Sequence, residues 1–182
     1  LDINDKSVLT KPGAPDATAW GLHSSIHKYC RHALCALHVH STYATVLACL
    51  SDSRLPPVDQ NSAMFFNRFA IDEDYGGLAF ESEGRRCAQL MSDPKTKILI
   101  MGNHGVLVIG NSVGDAFDRL YYFERACRTY ILALQTGKKL KIIPDEIAEK
   151  VACQIEAFSG DDSDHFKEIK LILDQEGSDY SS

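Results

Sequence analysis

Two histidines one residue apart, His38 and His40, interrupt the short apolar run "ALCALHVH" at residues 33–40. Alternate side chains of a β-strand point to the same face, so a strand here would project both imidazoles together, with α-carbons roughly 6 to 7 Å apart. Two neutral imidazoles at that separation can bind one cation, and they suit zinc and other late divalent metals. A catalytic zinc usually has three protein ligands, so a third ligand is needed.

His104 is the candidate for that third ligand. It lies between two β-branched runs in "KILIMGNHGVLVIG", residues 97–110, a pattern typical of a β-hairpin with its turn at or near His104. We expect Gly102 and Gly105 to give the backbone the freedom for a sharp turn. The alternative stays open at this point, because an H-x-H pair also occurs by chance and each histidine could be an ordinary hydrogen-bonded side chain near a strand end.

A second pair, His23 and His27, is spaced four residues apart on a predicted helix, so both side chains share one face. The pair lacks the glutamate that stands between the zinc-binding histidines of H-E-x-x-H hydrolases. We therefore interpret the two residues as packing or supporting side chains, with His23 the nearer to the candidate metal site.

Hydrophobic spacing and capping residues predict a chain of mixed helices and strands, of the α/β or α+β class. A helix is expected from Asp16, as its N-cap, to about His32. The strand at 33–40 then leads into a helix with Ser41 as its N-cap. Residues 54–77 are predicted to form a long loop that holds a short helix or strand. Further helices are predicted at 82–91, 112–136 and 144–158.

Two features bear on association between subunits. The long loop contains the apolar segment "PPVDQNSAMFF", and its Met64, Phe65 and Phe66 fit burial against another subunit. Packing into the chain's own core is the alternative. Glu124 and Arg125 could pair across an interface, although most such charges are solvated and contribute little. We expect a homo-oligomer.

The composition is that of a soluble globular protein, with 45% hydrophobic and 24% charged residues. A length of 182 residues suits one domain, which we place at 1–158, followed at 159–182 by an acidic tail with one short helix. The start at Leu1 rather than Met leads us to expect missing sequence upstream. The net charge of −6 argues against nucleic acid, and no apolar run is long enough for a membrane span. Six cysteines without a C-x-x-C pair are interpreted as reduced core residues of a cytoplasmic protein.

Five segments, in this order and spacing, carry a resemblance to a known family: "LHVHS", "LPPVDQNSAMFF", "DYGG", "ILIMGNHGVLVIGNSVGDAF" and "YYFERAC". Over roughly residues 12–137 the chain resembles the class II aldolase/adducin family, especially its adducin-like bacterial branch. The resemblance implies a three-layer α/β/α fold around a central, mostly antiparallel sheet, and a homotetramer with active sites at subunit interfaces. In relatives such as fuculose-phosphate aldolase, the histidines that match His38, His40 and His104 bind zinc or another divalent ion. A divalent metal, with zinc as the first choice, is therefore the expected cofactor.

The resemblance also shows a departure. In the family's aldolases an acidic residue on the first helix acts as acid and base, and the matching position here is Ala19, which cannot carry a proton. Asp16, about one helical turn away, and Glu73 or Asp74 in the long loop are candidate replacements, each also explained as an N-cap or a solvated charge. Tyr75 is a further candidate, although an aromatic residue beside Gly-Gly is more often a packing anchor.

Two functions from different classes follow. The first is a divalent-metal-dependent lyase of the aldolase type, which cleaves a small hydroxy-carbonyl or carboxylated substrate by retro-aldol reaction or decarboxylation through a metal-stabilised enediolate. The second is a non-catalytic scaffold that forms oligomers, like the head domain of adducin. The three histidines favour the first function and Ala19 favours the second. The glycine-asparagine loop that holds phosphate in the sugar-phosphate enzymes has no counterpart in this sequence, so the resemblance does not extend to phosphate recognition.

Overall fold

A four-stranded mixed sheet lies at the centre of the protein in the computed structural model, which describes residues 2–74, 76–77, 80–158 and 164–180. β4 is antiparallel to both β1 and β3, whereas β2 runs parallel to β3. The mostly antiparallel sheet expected from the sequence is therefore confirmed. The strands, in the spatial order β1-β4-β3-β2, are β1 (Cys35–Val39), β2 (Phe69–Asp72), β3 (Ile98–Met101) and β4 (Gly105–Gly110).

Helices cover both faces of this sheet. In the described residues they are α1 (Ala17–Tyr29), α2 (Thr42–Ala48), α3 (Gln60–Ala63), α4 (Glu81–Leu90), α5 (Val113–Gln135), α6 (Asp145–Phe158) and α7 (Asp164–Gln175), with a 3₁₀ turn at Lys6–Thr10. α1 and α4 pack on one face, and α2 and α5 pack on the other. None of the helices described combines the length and the apolar character that crossing a membrane requires.

The alternation of side chains along β3 separates two hydrophobic cores. Leu99 and Met101 pack with α1 and α4, while Ile98 and Ile100 pack with α2 and α5. β4 alternates in the same way, and both strands are buried throughout, as their continuous apolar runs suggest. The result is a three-layer α/β/α fold, which confirms the predicted fold class.

α1 ends earlier than the sequence indicated. Its last helical residue is Tyr29, whereas the expected end lay near His32. Cys30 leaves the helical conformation, and its buried thiol donates to the carbonyl oxygen of Ala88 in α4 at 3.2 Å. The helix therefore stops where a contact with the neighbouring helix fixes the chain.

The long loop predicted at 54–77 holds α3 and β2, as expected. Phe65 packs edge-on against Phe123 of α5, with ring centroids 5.2 Å apart, and it is 2% exposed. This side chain therefore belongs to the chain's own core, the alternative that the sequence had left open.

All six cysteines are free thiols. Cys30, Cys87 and Cys127 are buried, in agreement with their interpretation as core residues. Cys49 and Cys153 are exposed, so for these two residues the interpretation is wrong.

α7 lies against α5. His165 and Asp118 are joined at 2.7 Å from Nδ1 to Oδ1, and the rings of Phe166 and Phe117 have centroids 5.3 Å apart. No residue of α7 is fully buried. The division between a domain at 1–158 and a tail at 159–182 stays a prediction.

Candidate metal centre

Three histidines meet at one edge of the sheet, and the strand pairing explains why. His38 lies in β1, His40 follows the end of β1, and His104 lies in the turn between β3 and β4. Val39, the last residue of β1, pairs with Val106 near the start of β4. The end of β1 and the β3–β4 turn therefore share one edge, although about 65 residues separate them in sequence.

The Nε2 atoms of these residues form a small triangle. The Nε2–Nε2 distances are 3.1 Å between His38 and His104, 3.3 Å between His38 and His40, and 3.0 Å between His40 and His104. Hydrogen bonds cannot explain all three contacts, because each nitrogen either carries a proton or presents a lone pair, so two of the three must be alike. At least one contact brings like groups together, and a cation bound to three lone pairs would remove that conflict.

The protonation of His38 supports this arrangement. Its Nδ1 lies 3.0 Å from the carbonyl oxygen of Val106. A carbonyl can only accept, so we assign the ring proton of neutral His38 to Nδ1. Nε2 then presents its lone pair to the centre of the triangle. A backbone carbonyl that fixes a histidine tautomer in this way is a common support for metal ligands.

Burial favours the neutral form of His38 and His104. It lowers the pKa of His38, and it lowers the pKa of His104 to about 4, with a further contribution from the neighbouring His38 and His40. The neutral imidazole is the form that binds metal ions. His38 and His104 are therefore ready to act as ligands at neutral pH.

The triangle has dimensions that suit zinc. Zn–N bonds of roughly 2.0 to 2.1 Å in a tetrahedral site place two nitrogens roughly 3.3 to 3.4 Å apart, and the observed distances approach that spacing. A donor set of nitrogens also suits other late divalent metals. Three protein ligands leave at least one coordination position for water or substrate. Among the residues that the structure describes, the three histidines are the group of potential ligands that could hold an ion.

The turn that carries His104 differs from the expectation in one respect. The His104 N–H donates to the carbonyl oxygen of Met101 at 3.0 Å, and the residue with a positive φ is Asn103, at 56°. Neither Gly102 nor Gly105 has a positive φ. Asparagine tolerates this conformation better than most residues, so it supplies the turn geometry that we had assigned to the glycines.

Gly105 is required for space instead. A Cβ atom at this position would lie 2.6 Å from the carbonyl oxygen of Val39 and 2.7 Å from Cδ2 of His40. Both distances are shorter than real contacts allow. The absence of a side chain at Gly105 therefore lets β4 approach β1 and leaves room for the His40 ring.

The second histidine pair lies on α1. His27 Nδ1 is 3.0 Å from the carbonyl oxygen of Ala33, which ties α1 to the residues that precede β1. His23 is partly buried, and its pKa is lowered first by burial and then by the charges of His27 and His38. His27 thus has a structural contact, whereas burial is the main influence on the pKa of His23.

Asp16 serves as the N-cap of α1. Its Oδ1 accepts from the N–H groups of Thr18 at 2.8 Å and Ala19 at 3.4 Å. Hydrogen bonds from the side chain and backbone of Thr18, followed by that from Ala19, lower the pKa of this carboxyl. The contacts that the structure describes for Asp16 are those of a helix cap, and Ala19 itself is exposed.

Glu73 lies at the same edge of the sheet as the histidines. It directly follows β2, which is parallel to β3, so both strands end at the edge where the His104 turn begins. A Cβ atom on Gly102 would lie 3.6 Å from the Glu73 α-carbon. The Glu73 side chain is exposed. Tyr75, the remaining candidate proton carrier, lies outside the described residues.

Sequence reasoning missed the role of Glu124, whose carboxylate lies beside the chain that follows His40. Ser41 occupies the N-cap position of α2, as predicted, but its side chain makes no capping bond. Its hydroxyl donates to Oε2 of Glu124 at 2.8 Å, and Glu124 also accepts from the N–H groups of Tyr43 and Ala44, each at 2.8 Å. The interpretation of Glu124 as a solvated charge is therefore wrong, because the residue caps α2 from α5.

The sequence and the fold agree with those of a known family. The family model of the class II aldolase and adducin N-terminal domain matches residues 1–131. This is more than half of the chain, and the protein belongs to that family.

Curated relatives within the family carry different names. The chain is 28% identical over 148 residues to "Putative aldolase class 2 protein PA3430" of Pseudomonas aeruginosa, which covers 81% of this chain and 56% of the relative. It is 27% identical over 135 residues to decarboxylase NovR of Streptomyces niveus, covering 74% of this chain and 47% of that protein. It is 30% identical over 122 residues to β-adducin of Rattus norvegicus, and the match covers 67% of this chain and 16% of β-adducin.

Solved structures show the same fold. An aldolase II superfamily protein from Pseudomonas syringae matches with a TM-score of 0.80 and 29% identity, over 93% of this chain and 67% of that one. An L-fuculose 1-phosphate aldolase matches with a TM-score of 0.62 and 25% identity, over 76% and 63%. Among the curated bacterial relatives named above, the chain spans about half of each protein's length.

Proposed function

We propose that this protein is a divalent-metal-dependent lyase of the aldolase type, with His38, His40 and His104 as metal ligands and zinc as the first-choice metal. The observation that supports this proposal is the Nε2 triangle, with edges of 3.0 to 3.3 Å and a His38 lone pair directed into it. When bound, a divalent ion acts as a Lewis acid on substrate oxygens and stabilises the negative charge that develops as a carbon–carbon bond breaks.

The substrate that fits this chemistry is a small hydroxy-carbonyl or carboxylated compound. Such a molecule carries the oxygens that a partly open metal site can bind, and it is cleaved by retro-aldol reaction or by loss of carbon dioxide. Family relatives that bear the names aldolase and decarboxylase support both routes. Decarboxylation also agrees with Ala19, because loss of carbon dioxide does not need the acidic residue of the retro-aldol reaction at that step.

Glu73 is the proton carrier that the geometry favours. Its carboxylate is exposed, and its backbone lies against the turn of His104. Asp16, in contrast, is engaged by backbone N–H groups as a helix cap. A carboxylate with a free face at the sheet edge is better able to exchange a proton with a bound molecule than one that closes a helix end.

A non-catalytic scaffold is the second candidate function. Two observations favour it: Ala19 stands where the family's aldolases are expected to carry an acid, and the chain is 30% identical to β-adducin over 67% of its length. In this function the fold would serve as an oligomerising module and the histidines would have no bound metal.

We further propose that the protein works as a homo-oligomer, with the tetramer that the family resemblance implies, in the cytoplasm. The exposure of His40 supports the oligomer, because a single chain leaves the histidine cluster open on one side. A neighbouring subunit would narrow access to the site and exclude water from it.

Metal analysis of protein purified without added metal separates the two functions. If the protein is the proposed lyase, it should carry about one zinc or similar ion per chain. The His104→Ala variant should lose this ion. The control variant His165→Asn, which removes an imidazole on α7, should keep it. Metal-free wild-type protein with a stability indifferent to chelator would instead support the scaffold.

An activity screen then tests the reaction itself. Metal-loaded wild-type protein is assayed with small hydroxy-carbonyl and β-keto acid compounds, and release of an aldehyde or of carbon dioxide is measured. We expect turnover by wild-type protein and none by His104→Ala. Equal turnover by both proteins would show that the three histidines do not form the active site.

A further inference from the structure

Of the three proposed ligands, His40 has the least support from the sheet. The ladder that pairs β1 with β4 ends at Val39, so His40 lies one residue beyond the last strand partner. Its side chain is exposed, whereas His38 and His104 are partly buried. The position of its imidazole therefore depends on how the chain continues into α2.

Glu124 fixes that continuation. Its Oε1 accepts from the Tyr43 N–H, and its Oε2 accepts from both the Ser41 hydroxyl and the Ala44 N–H, all at 2.8 Å. The two N–H groups belong to the first turn of α2, where a local N-cap side chain would normally bind. Because the Ser41 side chain makes no capping bond, the carboxylate of α5 takes over this role.

α2 needs such support because it is short. It spans seven residues, and a helix of this length gains too few hydrogen bonds to offset the cost of nucleation. Its buried residues Ala44, Leu47 and Ala48 pack in the same core as Phe123 and Cys127 of α5. Glu124 therefore joins the beginning of α2 to a helix that is already packed on the sheet.

We infer that Glu124 is a positioning residue for the metal ligand His40, which it holds in place through Ser41 and the first turn of α2. This inference rests on the proposed metal site. Metal–ligand distances tolerate deviations of only about 0.2 Å, so a small shift of the chain at Ser41 is enough to weaken coordination by the residue before it.

The arrangement requires a carboxylate rather than an amide. All three groups that Glu124 contacts are donors, and they use both carboxylate oxygens. Glutamine has the same shape, but its NH₂ group would face at least one of these donors. Glu124→Gln should therefore loosen the first turn of α2 while the packing of α5 is kept.

A purely structural role for Glu124 predicts a different result. In that case the substitution would lower the free energy of unfolding, but the folded protein would bind metal as well as before. Both roles predict a lower unfolding free energy, so stability does not distinguish them. Metal affinity does, when it is measured on folded protein at a temperature well below the unfolding transition.

The experiment compares wild-type protein, Glu124→Gln, Ser41→Ala and the control Asp118→Asn, which changes another α5 carboxylate, one that pairs with His165. Zn²⁺ affinity is measured by competition with a chromophoric chelator, Co²⁺ binding by its visible absorption spectrum, and folding by circular dichroism. We expect Glu124→Gln to weaken Zn²⁺ binding about 10- to 100-fold and to change the Co²⁺ spectrum, Ser41→Ala to weaken it by less, and Asp118→Asn to leave it within about twofold.

Glu124→Gln that binds Zn²⁺ within about twofold of wild type would overturn the inference and leave the metal site in place. If Glu124→Gln does not fold, Ser41→Ala serves as the test, because it removes one of the three hydrogen bonds to Glu124. Ser41→Ala with the Zn²⁺ affinity of wild type would then overturn the inference. Wild-type protein that binds neither Zn²⁺ nor Co²⁺ would overturn both the inference and the proposed function.

Discussion

The space at Gly105 gives a sharp test of how the fold positions His40. In the structure a Cβ atom at this position would lie 2.7 Å from Cδ2 of His40 and 2.6 Å from the carbonyl oxygen of Val39. The substitution Gly105→Ala adds that one carbon atom and changes no metal ligand. Either the imidazole or the strand must therefore move.

The size of the movement follows from contact distances. Carbon atoms pack comfortably at roughly 3.5 Å or more, so the His40 ring would have to retreat by roughly 0.8 Å. A metal–nitrogen bond tolerates a deviation of about 0.2 Å, and the displacement exceeds that several-fold. We expect metal affinity to fall about 10- to 100-fold, and the overpacked strand to lose about 1 to 3 kcal/mol of unfolding free energy.

Gly110→Ala is the matched control. Gly110 also belongs to β4, and a Cβ atom there would lie 2.5 Å from the backbone nitrogen of Ala116, but it pairs with Cys35 at the opposite end of the strand from the histidines. This variant should lose a similar amount of stability without a change in metal affinity. Urea denaturation gives the unfolding free energies, and competition with a chromophoric chelator gives the Zn²⁺ affinities.

The outcome that refutes this reasoning is a Gly105→Ala protein that binds Zn²⁺ as tightly as wild type. The same holds if both glycine variants lose affinity in proportion to their stability, since the effect would then come from general loosening of the sheet rather than from displacement of His40.

Two further predictions concern carboxylates. Glu73→Gln should lower kcat at least about 100-fold with Zn²⁺ content unchanged, and equal kcat for Glu73→Gln and wild type would exclude Glu73. Asp16→Asn should leave the urea midpoint and the activity close to those of wild type, because asparagine caps a helix about as well as aspartate. Arg68, paired with Glu149 and Glu156, holds the pKa of Glu149 at about 2, below its ordinary 4.5. This stabilisation is complete above about pH 4.5 and is lost as pH falls toward 2. In a plot of unfolding free energy against pH, Arg68→Met should therefore reduce the loss of stability between about pH 4.5 and 2. An unchanged loss would show that the ion pair with Arg68 does not lower the pKa of Glu149.

The histidine cluster could be predicted from the sequence because its elements have local signatures. Alternation along a strand places His38 and His40 on one face, and β-branched runs around a short polar corner indicate the hairpin that carries His104. The capping role of Asp16 was predictable for the same reason, since an N-cap acts on residues two and three positions ahead.

Two of the features that sequence reasoning missed depend on residues that are distant along the chain, and a third is local. Glu124 caps α2 from α5, and nothing in the spacing around Ser41 indicates that a carboxylate of another helix will replace its hydroxyl. Arg68 is 1% exposed and bound by two glutamates of α6, contacts that exist only once α6 has packed. The positive φ of Asn103 was missed because two glycines beside it offered a simpler explanation of the turn.

The most direct test of the metal site is anomalous diffraction from crystals of the protein, measured on both sides of the zinc absorption edge. We predict one anomalous peak at roughly 2.0 to 2.1 Å from the Nε2 atoms of His38, His40 and His104. A protein saturated with Zn²⁺ whose anomalous peak lies elsewhere, with the three imidazoles hydrogen-bonded to other groups, would contradict it.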